Sequence, residues 1–138
     1  MDRDRWLAAV SACQLGVGVL GMAVALKRRY PYDVPLLHGH PANVARDSVV
    51  MGTALSAPVV MLAAQGVTTT RLFRENGDAA RLALGVLGTT MVAGYLGESL
   101  VRQRLQWSSC HPLETPLVVT GIILAGAMAV LGLQRVTP

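Results

Sequence analysis

Charge is scarce in this chain: of its 138 residues 14% are charged and 52% hydrophobic, where an ordinary soluble domain carries about a quarter charged residues. Lysine occurs once against eleven arginines. The twelve basic residues fall in short clusters between apolar runs, with no basic stripe and no interleaved aromatics for bases to stack on. That pattern speaks against a nucleic-acid partner despite a net charge of +4. Cysteine appears twice, Cys13 in an apolar run and Cys110 in a polar connector, so no structural disulfide between them is expected. HExxH, paired CxxC and a glycine-rich phosphate loop are all missing, and GVGVLG at 16–21 lies inside an apolar helical run where it binds no nucleotide. No motif assigns a cofactor.

Apolar runs are what the chain has in abundance. A hydrocarbon core of about 30 Å needs roughly twenty helical residues, and segments 6–26, 49–67, 79–101 and 117–133 meet that length. The only formal charges within them are Arg81 and Glu98. Helices of a soluble bundle would show a polar face, and these do not. The expectation is an all-α, integral-membrane bundle of four transmembrane helices at about 6–26, 46–67, 79–101 and 115–133, filling residues 1–138 as one domain. Charged residues ahead of the first run, with Val10-Ser11-Ala12-Cys13 behind them, resemble a lipoprotein signal. Only 6–12 precede the cysteine, however, and the run continues to Leu26, so it reads as a retained helix.

Small residues at helical spacing predict where these helices meet, because close approach drives packing in lipid. The predicted stripes are Gln14, Gly18, Gly21 and Ala25 in the first helix, Gly85, Thr89, Thr90, Gly94 and Gly97 in the third, and Gly121, Ala125 and Ala129 in the fourth. Pro58 is expected to bend the second helix. Gln14 and Gln65 read as interhelical hydrogen-bond partners, with the lining of a substrate cavity as the functional alternative. Trp6, Tyr30, Tyr32, Phe73 and Trp107 stand at helix boundaries as interfacial aromatics do. Tyr95, Glu98 and Arg102 share one face of the third helix, either as a snorkelling ion pair or as a functional carboxylate at the membrane boundary.

Four spans put the loops after helices one and three on one side and the termini and middle loop on the other. The middle stretch TTTRLFRENGDAAR reads as a connector, with Asn76-Gly77 as a turn and Asp78 as a helix cap. All three histidines fall on the first side. Basic residues tie at six a side, Lys27, Arg28, Arg29, Arg46, Arg102 and Arg104 against Arg3, Arg5, Arg71, Arg74, Arg81 and Arg135. The cluster directly after the first helix favours a cytoplasmic histidine side. An arginine-, alanine- and glycine-rich composition is that of a GC-rich coding genome, and a bacterial plasma membrane is the expected location.

The histidine side carries the candidate chemistry. His38-Gly39-His40 with Cys110, His111 and Glu114 offers metal-ligand atom types, but His40 and His111 each precede a proline and read as helix-start punctuation, so no metal is assigned. Acid–base chemistry fits better: His38 or His40 as base, Asp47 or Glu98 to orient or protonate, and His111 as a further catalytic candidate. Arg46, Arg102, Tyr95, Asn43, Gln14 and Gln65 are candidates for substrate binding, the arginines for an anionic group. A Ser-His-Asp triad is not indicated.

Three functions remain open. The first is a small enzyme acting on a lipophilic small molecule at the interface. The second is a non-catalytic subunit or assembly factor, a homo-oligomer or part of a larger membrane complex. The third is a transporter or channel, motivated by Gln14, Gln65, Pro58 and Glu98 along the spans. A four-helix plan is shared by several families of small membrane enzymes and does not by itself carry a function.

Overall fold

The structure, a computed structural model, describes residues 2–75 and 77–134. Among them the chain is all-α apart from one hairpin. α1 is Arg3–Arg28; β1 (Asp33–Val34) and β2 (Leu37–His38) form the hairpin; then come α2 (Val44–Asp47), α3 (Val59–Glu75), α4 (Asp78–Gly97), α5 (Ser99–Arg104) and α6 (Glu114–Leu133). α1, α4 and α6 are long and apolar enough to cross a membrane. At 1.5 Å per residue the 26 residues of α1 rise about 39 Å and the 20 of α4 and of α6 about 30 Å, as in a multi-pass membrane protein.

Apolar side chains are exposed along the long helices, and a polar cluster lies within the apolar core. Val19, Leu20, Val86, Ile123 and Val130 are exposed, whereas Ser11, Gln14, Gln65 and Thr69 are buried. Gln65 Nε2 donates to Gln14 Oε1 at 2.8 Å and to the Ser11 carbonyl at 3.0 Å. The Ser11 and Thr69 hydroxyls meet at 2.7 Å. The two glutamines therefore join α1 to α3, as the interhelical reading expects, and they do not line the cavity described below.

The four long helices pack in a ring, α1 on α3, α3 on α4, α4 on α6 and α6 on α1. At one end Arg3 of α1 donates to the carbonyls of Leu131 and Gln134 at the end of α6, while Arg81 at the start of α4 faces Asp4 at 3.6 Å. At the opposite end Arg28 of α1 pairs with Glu114 of α6. Neighbouring long helices are thus antiparallel, and the first and third connectors share one end.

Close approach of α4 and α6 rests on missing side chains. A Cβ on Gly88 would lie 2.6 Å from the Ala125 carbonyl oxygen and 2.7 Å from the Ala129 nitrogen, and Gly85 and Gly132 face each other directly. The buried line of α4 runs through Leu84, Gly85, Gly88, Met91 and Tyr95. This corrects the stripe predicted for the third helix: Thr89, Thr90 and Gly94 face outward, and the two threonine hydroxyls close back on the Gly85 and Val86 carbonyls. In α1 the predicted stripe Gln14, Gly18, Gly21 and Ala25 is buried throughout.

The second helix is displaced from its expected place at 46–67. Helix forms at Val44–Asp47 and again at Val59–Glu75, and Pro58 stands just ahead of α3 instead of bending a helix from within. Between them the chain leaves the helix and returns. The Val59 and Val60 amides donate to the Ser48 and Val49 carbonyls at 2.9 and 3.2 Å, so 48–59 is an Ω-shaped excursion with joined ends. Its buried part packs against α1: Ser56 Oγ donates to the Gly18 carbonyl at 2.8 Å, and the Leu55 carbonyl rests on Gly21. Gly18 and Gly21 are ten and seven residues from the end of α1, about 15 and 10 Å down the helix. Thr53, Ala54, Leu55 and Ser56 are buried there, while Val49, Val50 and Met51 stay exposed. Gly52, at φ 83°, makes the turn, and a Cβ there would meet the Ser56 carbonyl at 2.8 Å.

The expected middle connector is itself helical as far as Glu75. Thr68, Thr69 and Thr70 donate their hydroxyls to the carbonyls of Ala64, Gln65 and Gly66, which satisfies them within the helix. Asn76 of the predicted turn lies outside the described residues, and Asp78 is the first residue of α4 rather than its cap.

Glycine packing between α4 and α6 gives a direct test. Gly88→Val should lower the Tm of the detergent-solubilised protein, with an overpacking cost of about 1–3 kcal/mol. Gly126→Val, at a helical glycine whose Cβ would touch nothing within 4 Å, should leave it unchanged. Equal Tm values for the two variants would contradict the packing described.

Candidate functional site

The stretch Asp33-Val34-Pro35-Leu36-Leu37-His38 turns through Pro35-Leu36, and the register places Asp33 directly opposite His38. Cross-strand neighbours on one face lie within side-chain reach, and the Asp33 carboxylate accepts from His38 Nδ1. Its second oxygen accepts from the Ser99 hydroxyl at the start of α5. Its backbone N–H donates to both oxygens of Glu98, at 2.8 and 3.0 Å. One aspartate therefore fastens the hairpin to the junction of α4 and α5 and touches three side chains that can handle protons.

Chemically this is an Asp–His pair. The carboxylate orients the His38 ring through Nδ1 and leaves Nε2 outside the pair, a geometry in which an imidazole can serve as a general base. Ser99 gives its proton to Asp33, not to the imidazole, so the three do not form a nucleophile triad. Hydrogen bonds from Ser99 first, then His38, hold the Asp33 carboxyl below its ordinary range.

Glu98 occupies the break between α4 and α5, in extended conformation. The expectation of one helix over 79–101, with Tyr95, Glu98 and Arg102 in line, is corrected here. Gly94 and Gly97 weaken the last turn of α4, the helix stops at Gly97, and Arg102 donates to the Leu96 and Gly97 carbonyls at 3.2 and 2.8 Å. Arg102 thus caps the helix end. Glu98 is 5% exposed and has no ion-pair partner among the described residues. Burial pushes its carboxyl above the ordinary value of 4.5.

Below Glu98 lies a cavity of about 160 Å³. Val34 and Tyr32 of the first connector roof it, Met91 and Tyr95 of α4 form one wall, Met61 of α3 another, and the 51–58 excursion closes the rest. Tyr95 leans into the notch left by Gly121 of α6. Apolar lining dominates, with Glu98 at one end and Thr53 within the excursion. Thr53 is 6% exposed and its hydroxyl has no hydrogen-bond partner. The exposed residues Met51, Thr90 and Gly94 lie on the cavity's rim.

A second buried carboxylate contrasts with Glu98. Glu114, with no exposed surface, is held by Arg28 and by Arg104 Nε at 2.6 Å, which ties α1, α5 and α6 together. The hydrogen bond to Glu114 raises Arg104 further above its already high ordinary value. His111 Nδ1 accepts the Leu113 and Glu114 amides at 3.2 and 3.3 Å, and His40 Nδ1 accepts the Ala42 amide at 3.2 Å. Both histidines thus cap helix starts ahead of their prolines.

Glu98 and Tyr95 line the cavity, and His38 lies outside it, linked to Glu98 only through Asp33; the other expected members are not brought to the site. Arg46 turns to its neighbour Asp47 at 3.3 Å; neither they nor Asn43 and Arg102 line the cavity. Among the described residues no group of three His, Cys, Asp or Glu side chains gathers as a metal site, and Cys13 and Cys110 are free and exposed. Asp33, Ser99 and Thr53 were not singled out from the sequence. For Asp33 a signal existed: its five-residue offset from His38 across a proline turn is a hairpin pairing. No family model, curated protein or solved structure matches the chain.

The two carboxyls at the junction titrate in opposite senses. Glu98, raised, favours folding while protonated, below about its ordinary 4.5, and that contribution is lost as pH climbs through the raised value. Asp33, lowered, contributes above its ordinary 3.8, a contribution lost as pH falls through the lowered value. Glu98→Gln, which keeps an oxygen for the Asp33 amide, should raise Tm at pH 8 by about 2–5 °C and leave it unchanged at pH 4. Asp33→Asn should lower Tm at pH 8. A Glu98→Gln protein less stable than wild type at pH 8 would overturn this account.

Proposed function

We propose that the chain crosses a bacterial plasma membrane four times, α3 and the 48–59 excursion together making the fourth crossing. In this reading it is a small enzyme that takes a lipophilic substrate into the Glu98 cavity and acts on it by acid–base chemistry. One observation carries the proposal: an apolar cavity at the end of the helices terminates on a buried, unpaired carboxyl that shares Asp33 with an oriented imidazole. The apolar body of the substrate lies between α3 and α4, entering past Met51, Thr90 and Gly94 from the lipid-facing side. Its polar end meets Glu98 and the Thr53 hydroxyl. Glu98, its affinity for protons raised by burial, gives or takes a proton at the substrate, and His38 exchanges protons with water through its free Nε2.

The subunit and transporter readings find less support. Gly85, Gly88 and Gly132 are used between the chain's own α4 and α6, and Gln14 and Gln65 are used on each other. The histidine end is assigned to the cytoplasm on the strength of Lys27-Arg28-Arg29 at the end of α1.

Two measurements test this. With Cys13→Ser, Cys110 is the one thiol left; a membrane-impermeant maleimide should label it only after permeabilising the cells, and labelling of intact cells would reverse the orientation. For function, wild-type protein in nanodiscs is incubated with lipid extract of the source membrane and products are followed by mass spectrometry. Turnover should fall at least about 100-fold in Glu98→Gln, the scale of general acid–base catalysis. It should also fall in Gly94→Leu, which fills the rim at a position with open space for its Cβ. Turnover untouched by both substitutions, or none in the wild type, would overturn the enzyme reading.

A further inference from the structure

Among the described residues two carboxylates are buried, and one of them is neutralised by ion pairs. Glu114 is gripped by two arginines, whereas Glu98 forms no ion pair among the described residues and feels Arg102 only from beyond contact distance. A buried carboxylate without a countercharge is costly, and the space beside Glu98 is a cavity rather than a packed side chain. Not one of the cavity's fourteen lining residues is Arg, Lys or His. Two of them, Tyr32 and Tyr95, have aromatic faces that attract cations, and Thr53 holds a buried hydroxyl with no partner.

We infer that the cavity beside Glu98 binds a lipophilic amine, whose ammonium group takes the place of the missing countercharge while its apolar part fills the space between α3, α4 and the 51–58 excursion. The inference rests on the reading of this cavity as a substrate site and narrows its chemistry. An anionic amphiphile would find a carboxylate and no base. A neutral one would leave Glu98 as it is. The amine's N–H groups can donate to Glu98 and to Thr53 Oγ1. Arg46 and Arg102, the residues from which an anionic ligand would be expected, do not line the cavity. Size sets the apolar part: a cavity of about 160 Å³ is comparable to the roughly 150 Å³ apolar cavities that admit benzene, so one ring or a short alkyl chain fits.

Benzylamine, benzyl alcohol and benzoate, matched in shape and different in charge, form the test. Binding to the full chain in nanodiscs is measured by equilibrium dialysis at pH 7.5, with empty nanodiscs subtracted. Benzylamine should bind at least about tenfold more tightly than benzyl alcohol, the worth of a hydrogen bond to a charged group, and benzoate should not bind. Glu98→Gln should remove the preference while keeping the alcohol bound. Gly94→Leu should abolish binding of both, a readout that does not depend on the folding of the Glu98 variant. Benzyl alcohol binding as tightly as benzylamine, or an amine preference that survives Glu98→Gln, overturns the amine inference and leaves the cavity as a site. Failure of all three probes to bind overturns both.

Discussion

The outer faces of α1, α4 and α6 are apolar over a length that suits a bilayer, where no water would be at hand and polar groups would have to find partners within the protein. A backbone N–H or carbonyl left open to hydrocarbon costs several kcal/mol, and this constraint explains details that otherwise look unrelated. The threonines of α3 and α4 return their hydroxyls to their own helices. Ser11, Gln14, Gln65 and Thr69 form a network in the interior. The 48–59 excursion can leave helical geometry at depth because its ends bond to each other and its buried turn bonds to α1.

Against that background the treatment of Glu114 and Glu98 is informative. Both are buried and both lie at the end of the bundle that carries the histidines. Glu114 is a structural clasp, compensated by Arg28 and Arg104, and breaking it would strand charge in the interior. Glu98 accepts the Asp33 amide, forms no ion pair among the described residues, and borders an apolar cavity. Groups kept in a strained electrostatic state, beside a cavity and an oriented imidazole, are what sites of proton chemistry are built from. Asp33 connects these parts, through its amide to Glu98 and its carboxylate to His38 and Ser99.

Hydropathy reads whether a segment prefers lipid, and that located α1, α4 and α6, although the run 79–101 hides the break at Glu98. It misplaced the second helix because the run 49–67 continues across Pro58 and Gly52: the excursion is as apolar as a helix, and only its inner part, around Ala54 and Leu55, is buried. The threonine run at 68–70 looked like a loop because composition does not show that a hydroxyl can be satisfied four residues back. His40-Pro41 was legible as a helix start and His111-Pro112 as the lead-in to one, since a cap is a local interaction. The Asp33–Glu98 and Asp33–Ser99 contacts join residues 65 and 66 positions apart, and no local rule reaches that far.

By itself the sequence determined the all-helical character, the apolar exterior, the gathering of histidines at one end and the residues at which α1 packs, because each depends on composition or on spacing within one segment. Only the tertiary structure decided which of the gathered polar residues act together. It made His40, His111 and Arg102 into caps, gave Glu114 two arginines, and left Glu98 without an ion pair beside a cavity. The reason is physical: a charge is neutralised, or left unneutralised, by whatever the fold brings within about 4 Å of it, and those neighbours come from distant parts of the chain.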